Sequence, residues 1–482
     1  MEIKFIETSK KHMIPILLAI TLSILFILVF SSSTSPLSYY YNGDTVSPSI
    51  TIARGWYYDF VPYKDLFAQD APWMYWICKI GVSLAHGNKT GIAIIQVINL
   101  FLFLLSIYFI SLTISNNKYF HCFTLLAITA LLKINYTDGI YPQEFLLPTY
   151  GWLIYFFLTR DSHIQIKSFF IGICLGITCV TIPQAIILYL PFVFMFLFSI
   201  LKRKKYQSFF ISLILLILSS TLIILPFIIY FKQQNCFSEM IQYIFHTDKN
   251  MNFIGERTSY FYKKFFIYRF PTISLLFTSL LCLFKKKYFN AITYACASIL
   301  QIYVFYQLFL TEHYSMFLVS NSIVLIIEIY EFLPNVQTTW KQVLIPLLCS
   351  LLPIYYLITS YYPLMSSRIY SYQNIYHNEG WEGLLDNIDS EDFDSLVFYG
   401  TPSLNNAYLN SNEMPVYKYF YEQDDLIQDN EDLKEDILNT FNTLQAKWII
   451  TNKVSPLIQD ILDAHYALVE KTGMYYIYLL RQ

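Results

Sequence analysis

Apolar residues fill this chain in long blocks parted by short polar connectors, and the block lengths are those of membrane spans. A hydrocarbon core takes ~20 apolar residues per helix, fewer where neighbours bury the ends. On that measure the spans are predicted at 13–31, 91–114, 119–134, 142–158, 168–182, 184–200, 208–230, 270–284, 288–310, 314–333 and 342–361. The third to sixth are divided only by short gaps, Asn135 to Tyr141 and Ile182 to Gln184. After the last span the pattern changes. Ser395–Tyr399, Trp448–Thr451 and Met474–Leu479 read as strands, and Asp432–Leu444 and Leu457–Ala464 read as amphipathic helices. Alternating strand and helix predicts a small α/β layer domain over residues 362–482, after a transmembrane domain over 1–361. The expected architecture is therefore mainly α, a polytopic membrane protein with a small α/β domain at its end.

Composition agrees. Of 482 residues 55% are hydrophobic and 14% charged, against roughly 25% charged in an ordinary soluble domain. That excludes a soluble protein. Lys10 and Lys11 precede an apolar run too long for a signal-peptide core, with no clear small-residue cleavage site after it, so a retained first helix is expected. The eight cysteines show no Cys-x-x-Cys spacing and fall mostly within apolar blocks, as small hydrophobes would.

Charge is divided unevenly. From Pro363 to Gln482 there are 19 Asp+Glu and 7 Lys+Arg, a net −12, and the rest carries 25 Lys+Arg and 15 Asp+Glu, a net +10. Short basic loops stay on the cytoplasmic side. Placing the N-terminus inside puts Lys118, Arg160 and Lys167, Lys202–Lys205, Lys285–Lys287 and Lys341 there together. Eleven spans then carry the acidic terminal part outside, with the long first loop 32–90. The acidic balance of that part argues against anionic polymers, so no nucleic-acid partner is expected.

The first loop holds the candidate chemistry. No charged residue occurs between Met13 and Gly43, so Asp44 is the first charge beyond the first span, within a turn or two of the bilayer surface. A carboxylate at that depth is costly and marks a functional site; the plainer reading makes Asp44 a helix cap. Asp65 and Asp70 follow in the same loop. Glu144 opens the fourth span in Tyr141-Pro142-Gln143-Glu144, where the helix dipole alone would favour a carboxylate. Outward carboxylates suit transfer from a phosphate-linked donor, one taking a proton from the incoming group and another orienting it or holding a cation. Arg257, Lys263, Lys264 and Arg269, interleaved with aromatics, would meet either a leaving phosphate or lipid headgroups. His313-Tyr314 stands at the start of the tenth span, as a ligand contact or a plain interface pair. The tail carries no glycine-rich phosphate fingerprint and no nucleophile motif, and reads as a lid or acceptor-docking module.

These residues resemble a bacterial GT-C glycosyltransferase, the superfamily of the protein O-mannosyltransferases and the lipid A aminoarabinose transferase. The resemblance runs from Asp44 through Ile52-Ala53-Arg54-Gly55, Val61-Pro62-Tyr63-Lys64-Asp65-Leu66-Phe67 and Asp70-Ala71-Pro72. It returns at Gln143-Glu144 with Pro148 and at His313-Tyr314. It implies Asp44 as catalytic base, Glu144 and Asp65 as supporting acids, and Arg54 on the lipid phosphate. It also implies Tyr63, Asp70, Lys263, Lys264, Arg269, His313 and Tyr314 as substrate contacts. The implied partners are a polyprenyl-phosphate-linked sugar donor, membrane lipid, and a lipid, glycan or protein acceptor, in a bacterial cytoplasmic membrane, with inversion at the anomeric carbon. No cofactor follows, and a divalent cation is left open. The chain departs from the family at Gln143, at Ala68-Gln69-Asp70 and at Ile182-Pro183-Gln184, so metal dependence and donor identity do not carry over.

Two other readings compete: a transporter or flippase of lipid-linked sugars, and a polysaccharide polymerase. A transporter needs helices broken at mid-membrane, whereas these blocks are mostly unbroken and their charges gather on one face. A polymerase would not be expected to end in a soluble domain.

Overall fold

A computed structural model describes residues 2–31, 33–37, 46–136, 139–160, 162–246, 270–307 and 316–332. In the terminal part it describes 388, 392, 395–399, 408, 414–420, 431–443, 446–451, 456–472 and 475–481. The helices are α1 (Glu2–Phe30), α2 (Val46–Tyr57), α3 (Pro72–Leu84), α4 (Thr90–Leu112), α5 (Lys118–Asn135), α6 (Pro142–Phe145), α7 (Leu147–Leu158) and α8 (Ile164–Thr181). They continue as α9 (Ile186–Lys202), α10 (Tyr206–Gln233), α11 (Phe237–His246), α12 (Phe270–Phe284), α13 (Tyr288–Gln307), α14 (Asn321–Phe332), α15 (Glu431–Thr443) and α16 (Pro456–His465). The described residues are mainly helical, with one small sheet. Among the described residues five helical segments are long and apolar enough to cross a membrane: His12–Phe30, Thr90–Leu112, Ile164–Thr181, Pro183–Lys202 and Tyr206–Gln233. Phe270–Phe284 is apolar but shorter. The predicted span 342–361 lies outside the described residues.

The chain forms two compact units. The first comprises 1–31, 93–228 and 253–365; the second comprises 32–92, 229–252 and 366–482.

Within the first unit, helix packing cannot rest on the hydrophobic effect, because lipid tails are as apolar as the side chains; close approach and hydrogen bonds take its place. Between α8 and α10, Gly172 and Gly176 stand one turn apart on α8 and lie against Leu216, Ser220 and Ile223 of α10. Ser220 Oγ donates to the Gly172 carbonyl at 2.8 Å. A Cβ at Gly172 would come 2.5 Å from the Leu216 carbonyl oxygen, so only glycine admits this contact. Deeper in the unit, Gln301 Nε2 donates to Tyr150 Oη (3.0 Å), Tyr150 donates to Asn321 Oδ1 (3.1 Å), and Asn321 Nδ2 donates to Gln301 Oε1 (3.2 Å). This closed ring ties α7, α13 and α14 and satisfies three fully buried polar groups with one another. On the turn between α12 and α13, Lys285 Nζ lies 2.8 Å from Glu328 of α14, and Lys287 pairs with Glu331.

The predicted fourth span, 142–158, is interrupted at Leu146, which separates α6 from α7. Pro148 is the cause. It has no N–H to give to the Glu144 carbonyl four residues back, and that carbonyl accepts instead from Asn99 Nδ2 of α4 at 2.7 Å.

In the second unit the sheet order is β1-β2-β4-β3, with β1 (Leu396–Phe398), β2 (Trp448–Thr451), β3 (Tyr466–Thr472) and β4 (Tyr475–Leu480). β1 and β2 are parallel, as a strand–helix–strand crossover through α15 requires, and Val397 faces Ile449. β4 runs antiparallel to both β2 and β3, with Ile450 opposite Ile477. The sequence reading did not include β3. Its Tyr-Ala-Leu-Val-Glu-Lys-Thr mixes polar with apolar positions, as an edge strand does, and it carries a register shift between Leu468 and Glu470.

Candidate functional site

Each unit holds part of the predicted site. In the first unit Glu144 is buried at 1% exposure. Its Oε1 accepts from Gln96 Nε2 and Tyr136 Oη, both at 3.1 Å. Its Oε2 accepts from Gln96 Nε2 and from the Ile140 N–H, both at 2.9 Å. Gln96 is itself held by Ser31 Oγ, which donates to its Oε1 at 3.2 Å at the end of α1. Lys133 Nζ donates to the Tyr136 carbonyl at 2.9 Å, closing the last turn of α5.

Backbone strain accompanies this carboxylate. Gly139 has φ +84°, and Ile140 has φ +57°, a left-handed conformation that a β-branched residue rarely adopts. The Ile140 N–H pointing at Glu144 Oε2 holds that turn. A Cβ on Gly139 would meet Gln96 Nε2 and Tyr136 Oη at 2.8 Å each, and Ser31 Oγ closer still, so the position needs glycine for space as well as for φ. Strain of this kind persists only where the surroundings over-determine it, and it concentrates at functional sites.

The surroundings of Glu144 also answer what it can do. N–H and O–H donors occupy both of its oxygens, so the donor set is that of an anchored acid and does not fit a cation site. Among the described residues no three His, Cys, Asp or Glu side chains come together as a metal cluster would need.

In the second unit the loop between α2 and α3 folds on itself. Asp65 N–H donates to the Val61 carbonyl at 2.8 Å, and Asp65 Oδ2 accepts from the Val61 N–H at 2.7 Å, a reciprocal clasp around one turn. Inside that turn Tyr63 is fully buried with φ +70°. Its hydroxyl donates to the Asp70 carbonyl at 2.6 Å, while the Asp70 N–H donates to Tyr75 Oη at 2.9 Å. Burial, and after it the Asp70 carboxylate and Cys236, raise the Tyr63 phenol well above its ordinary value, so it remains a donor. Asp70 Oδ2 accepts from Ser49 Oγ of α2 at 3.3 Å.

Arg54, at the end of α2, is 4% exposed and donates from Nη1 to the Tyr408 carbonyl at 3.0 Å. The Phe67 N–H donates to the Lys418 carbonyl at 2.8 Å, and the Phe67 ring packs on Tyr419 and Tyr243. The first loop and the terminal residues are thus joined by a backbone–backbone hydrogen bond and by one from the Arg54 side chain to a backbone carbonyl.

The structure brings Arg54, Tyr63, Asp65 and Asp70 into one unit and places Glu144 in the other. Asp44, Lys263, Lys264, Arg269, His313 and Tyr314 lie outside the described residues. Sequence reasoning missed Gln96, Asn99 and Tyr136, which hold Glu144 in place. A signal existed: Gln96 and Asn99 are three apart in a mostly apolar span, hence on one helical face.

No family model matches the sequence, and no curated protein does. Solved structures match in fold. ArnT from Cupriavidus metallidurans, crystallised with undecaprenyl phosphate, superposes with a TM-score of 0.59 at 12% identity, over 95% of this chain and 97% of that one. Its apo state gives 0.58 at 10% identity over 95% and 96%. The archaeal oligosaccharyltransferase AglB from Archaeoglobus fulgidus, in complex with an inhibitory peptide and a dolichol-phosphate, gives 0.54 at 12% identity over 98% and 74%. The fold of this chain is that of these neighbours.

Proposed function

We propose that this chain is an integral-membrane glycosyltransferase that moves a sugar from a polyprenyl-phosphate-linked donor to a lipid, glycan or protein acceptor on the outer face of a bacterial cytoplasmic membrane. The observation that carries the reading is the fold shared along nearly the whole length of ArnT, a protein crystallised with undecaprenyl phosphate. The residues quoted for the GT-C resemblance in the first loop support it as well, since that resemblance implies a base and a phosphate-binding arginine there.

In the proposed reaction Asp44 takes the proton from the acceptor hydroxyl or amine. The acceptor atom forms a bond to the anomeric carbon as the bond from that carbon to the phosphate oxygen breaks. The polyprenyl phosphate leaves with the electron pair, and one displacement inverts the centre. Arg54, Lys263, Lys264 and Arg269 would answer the phosphate charge. Tyr63, Asp65 and Asp70 would shape the loop, and His313 and Tyr314 would contact the substrate. Glu144 serves through position, holding the strained turn at Gly139-Ile140.

The topology is part of the proposal: eleven spans, the N-terminus inside and the terminal α/β domain outside. Basic connectors support it. So does the bond from the Phe67 N–H to the Lys418 carbonyl, which requires the first loop and the terminal residues to share one side of the membrane.

The test is transfer itself. Purified protein in vesicles is given a panel of radiolabelled undecaprenyl-phosphate sugars with cell-envelope lipid, glycan and protein fractions. Label moving from the carrier to one fraction is the expected result. Label that only crosses the bilayer, still on its carrier, would make the protein a flippase.

A further inference from the structure

Beside Glu144 lies a polar group with nothing to bond. Gln143, in α6, is 5% exposed, and its Oε1 is buried without a hydrogen-bond partner. Among the described residues it is the one side-chain carbonyl oxygen in that state. Hydroxyls in the same condition on helices, such as Ser212 and Ser322, can turn to the carbonyl of the preceding turn. The Gln143 amide could only turn over, which would bury its NH2 unpaired in the oxygen's place.

The backbone under Gln143 is fixed. Its carbonyl accepts from the Leu146 N–H at 3.2 Å, the Glu144 N–H donates to the Tyr141 carbonyl at 2.9 Å, and Asn99 grips the Glu144 carbonyl. Pro142 starts the turn. The amide is therefore carried on a rigid support next to the strained Gly139-Ile140 turn. Glu144 cannot serve it, since a carboxylate that accepts on both oxygens has no hydrogen to give. A buried acceptor left unpaired costs free energy that a methionine of similar length would not incur. Such a cost is accounted for if the missing donor arrives with a ligand.

Chemistry narrows the ligand. An amide oxygen repels phosphate oxygens, so the carrier phosphate is not its partner. A metal ion would need further free oxygens, and those of Glu144 are taken. What remains is a neutral ligand's O–H or N–H. We propose that Gln143 is a specificity-determining residue whose Oε1 accepts a hydrogen bond from a hydroxyl or amine of the sugar carried on the lipid phosphate. This rests on the transferase reading above.

The experiment compares wild type with Gln143→Met, and with Gln143→Leu as a second shape, in nanodiscs. It follows thermal unfolding alone, with undecaprenyl phosphate, and with the undecaprenyl-phosphate sugar from a hexose and pentose panel that shifts wild type most. The proposal expects three things together. Without lipid, the variants unfold at or above the wild-type temperature, because an unpaired polar atom has gone. Undecaprenyl phosphate stabilises wild type and variants alike. The sugar-bearing carrier binds the variants about 10-fold more weakly than wild type, the loss of one buried hydrogen bond.

Variants that unfold well below wild type without lipid would show that the amide is already engaged in the fold, and would overturn the proposal. So would equal affinity of wild type and variants for the sugar-bearing carrier, or a wild type for which no sugar adds to the shift given by undecaprenyl phosphate. Those outcomes leave the transferase reading standing. If undecaprenyl phosphate shifts wild type not at all, the transferase reading fails and the assignment of Gln143 fails with it.

Discussion

Glu144 shows how a residue can be placed by the sequence while its partners stay hidden. Its position after Pro142 is plain from the chain, and a helix start is a sound reason for an acid. Its partners are not plain, because Gln96 is 48 residues away and the Ile140 N–H depends on a backbone angle with no signature beyond Gly139. The contacts predict a particular failure for Glu144→Gln. One amide head would present N–H groups toward the Ile140 N–H or Gln96 Nε2, donor against donor, at a cost of about 2–3 kcal/mol. Thermal unfolding in detergent should fall accordingly, and Glu144→Asp, too short to reach Tyr136 and Ile140 together, should fall as well. An unchanged midpoint in both variants would mean the carboxylate is not the anchor of this turn. Tyr63→Phe tests the other unit. It deletes the donor to the Asp70 carbonyl inside a buried left-handed turn, and is expected to cost about 1–2 kcal/mol and to open Val61–Asp70 to proteases.

At the scale of elements, the long apolar helices were legible because hydropathy is local, and some breaks and contacts had local marks that the reading passed over. The interruption at Leu146 could have been read from Pro148, and the α8–α10 contact from Gly172 and Gly176 one turn apart. Strand β3 could not, since an edge strand needs only one apolar face and its residues satisfy several patterns. The α8–α10 contact predicts that Gly172→Ala, which sets a methyl against the Leu216 carbonyl oxygen, costs about 1–3 kcal/mol, while alanine at a lipid-facing α10 position such as Leu218 costs far less. Equal midpoints for the two would refute close packing there. The sheet carries a pH prediction. Asp392 accepts from Lys447 Nζ at 2.6 Å and from Trp448 Nε1 at 3.1 Å. Those two hydrogen bonds, that of Lys447 first, hold its pKa below the ordinary 3.8. A depressed carboxylate pKa gives stability that is present above the unfolded value and lost as pH falls through the folded one. Amide protection at β1 and β2 should therefore weaken as pH drops below about 4, and Lys447→Met should remove most of that acid dependence.

Across the whole molecule, the sequence distinguished a membrane part from an acidic terminal part by charge alone. Composition could not reveal that residues 32–92, 229–252 and 366–482 gather into one compact unit. That association runs through backbone atoms at Phe67 and Lys418 and through a carbonyl at Tyr408, and backbone atoms carry no sequence mark. Fold likeness at 10–12% identity fixes the scaffold and leaves the chemistry to the loops. The central claim is that Asp44, the first charge past the first span, removes the acceptor proton in a sugar transfer. Its most direct test is the single-turnover rate of transfer from a labelled undecaprenyl-phosphate sugar in vesicles, wild type against Asp44→Asn, with carrier binding measured on both. The account predicts equal binding and a rate at least ~100-fold lower for the variant, the contribution of a general base. Equal rates would contradict it.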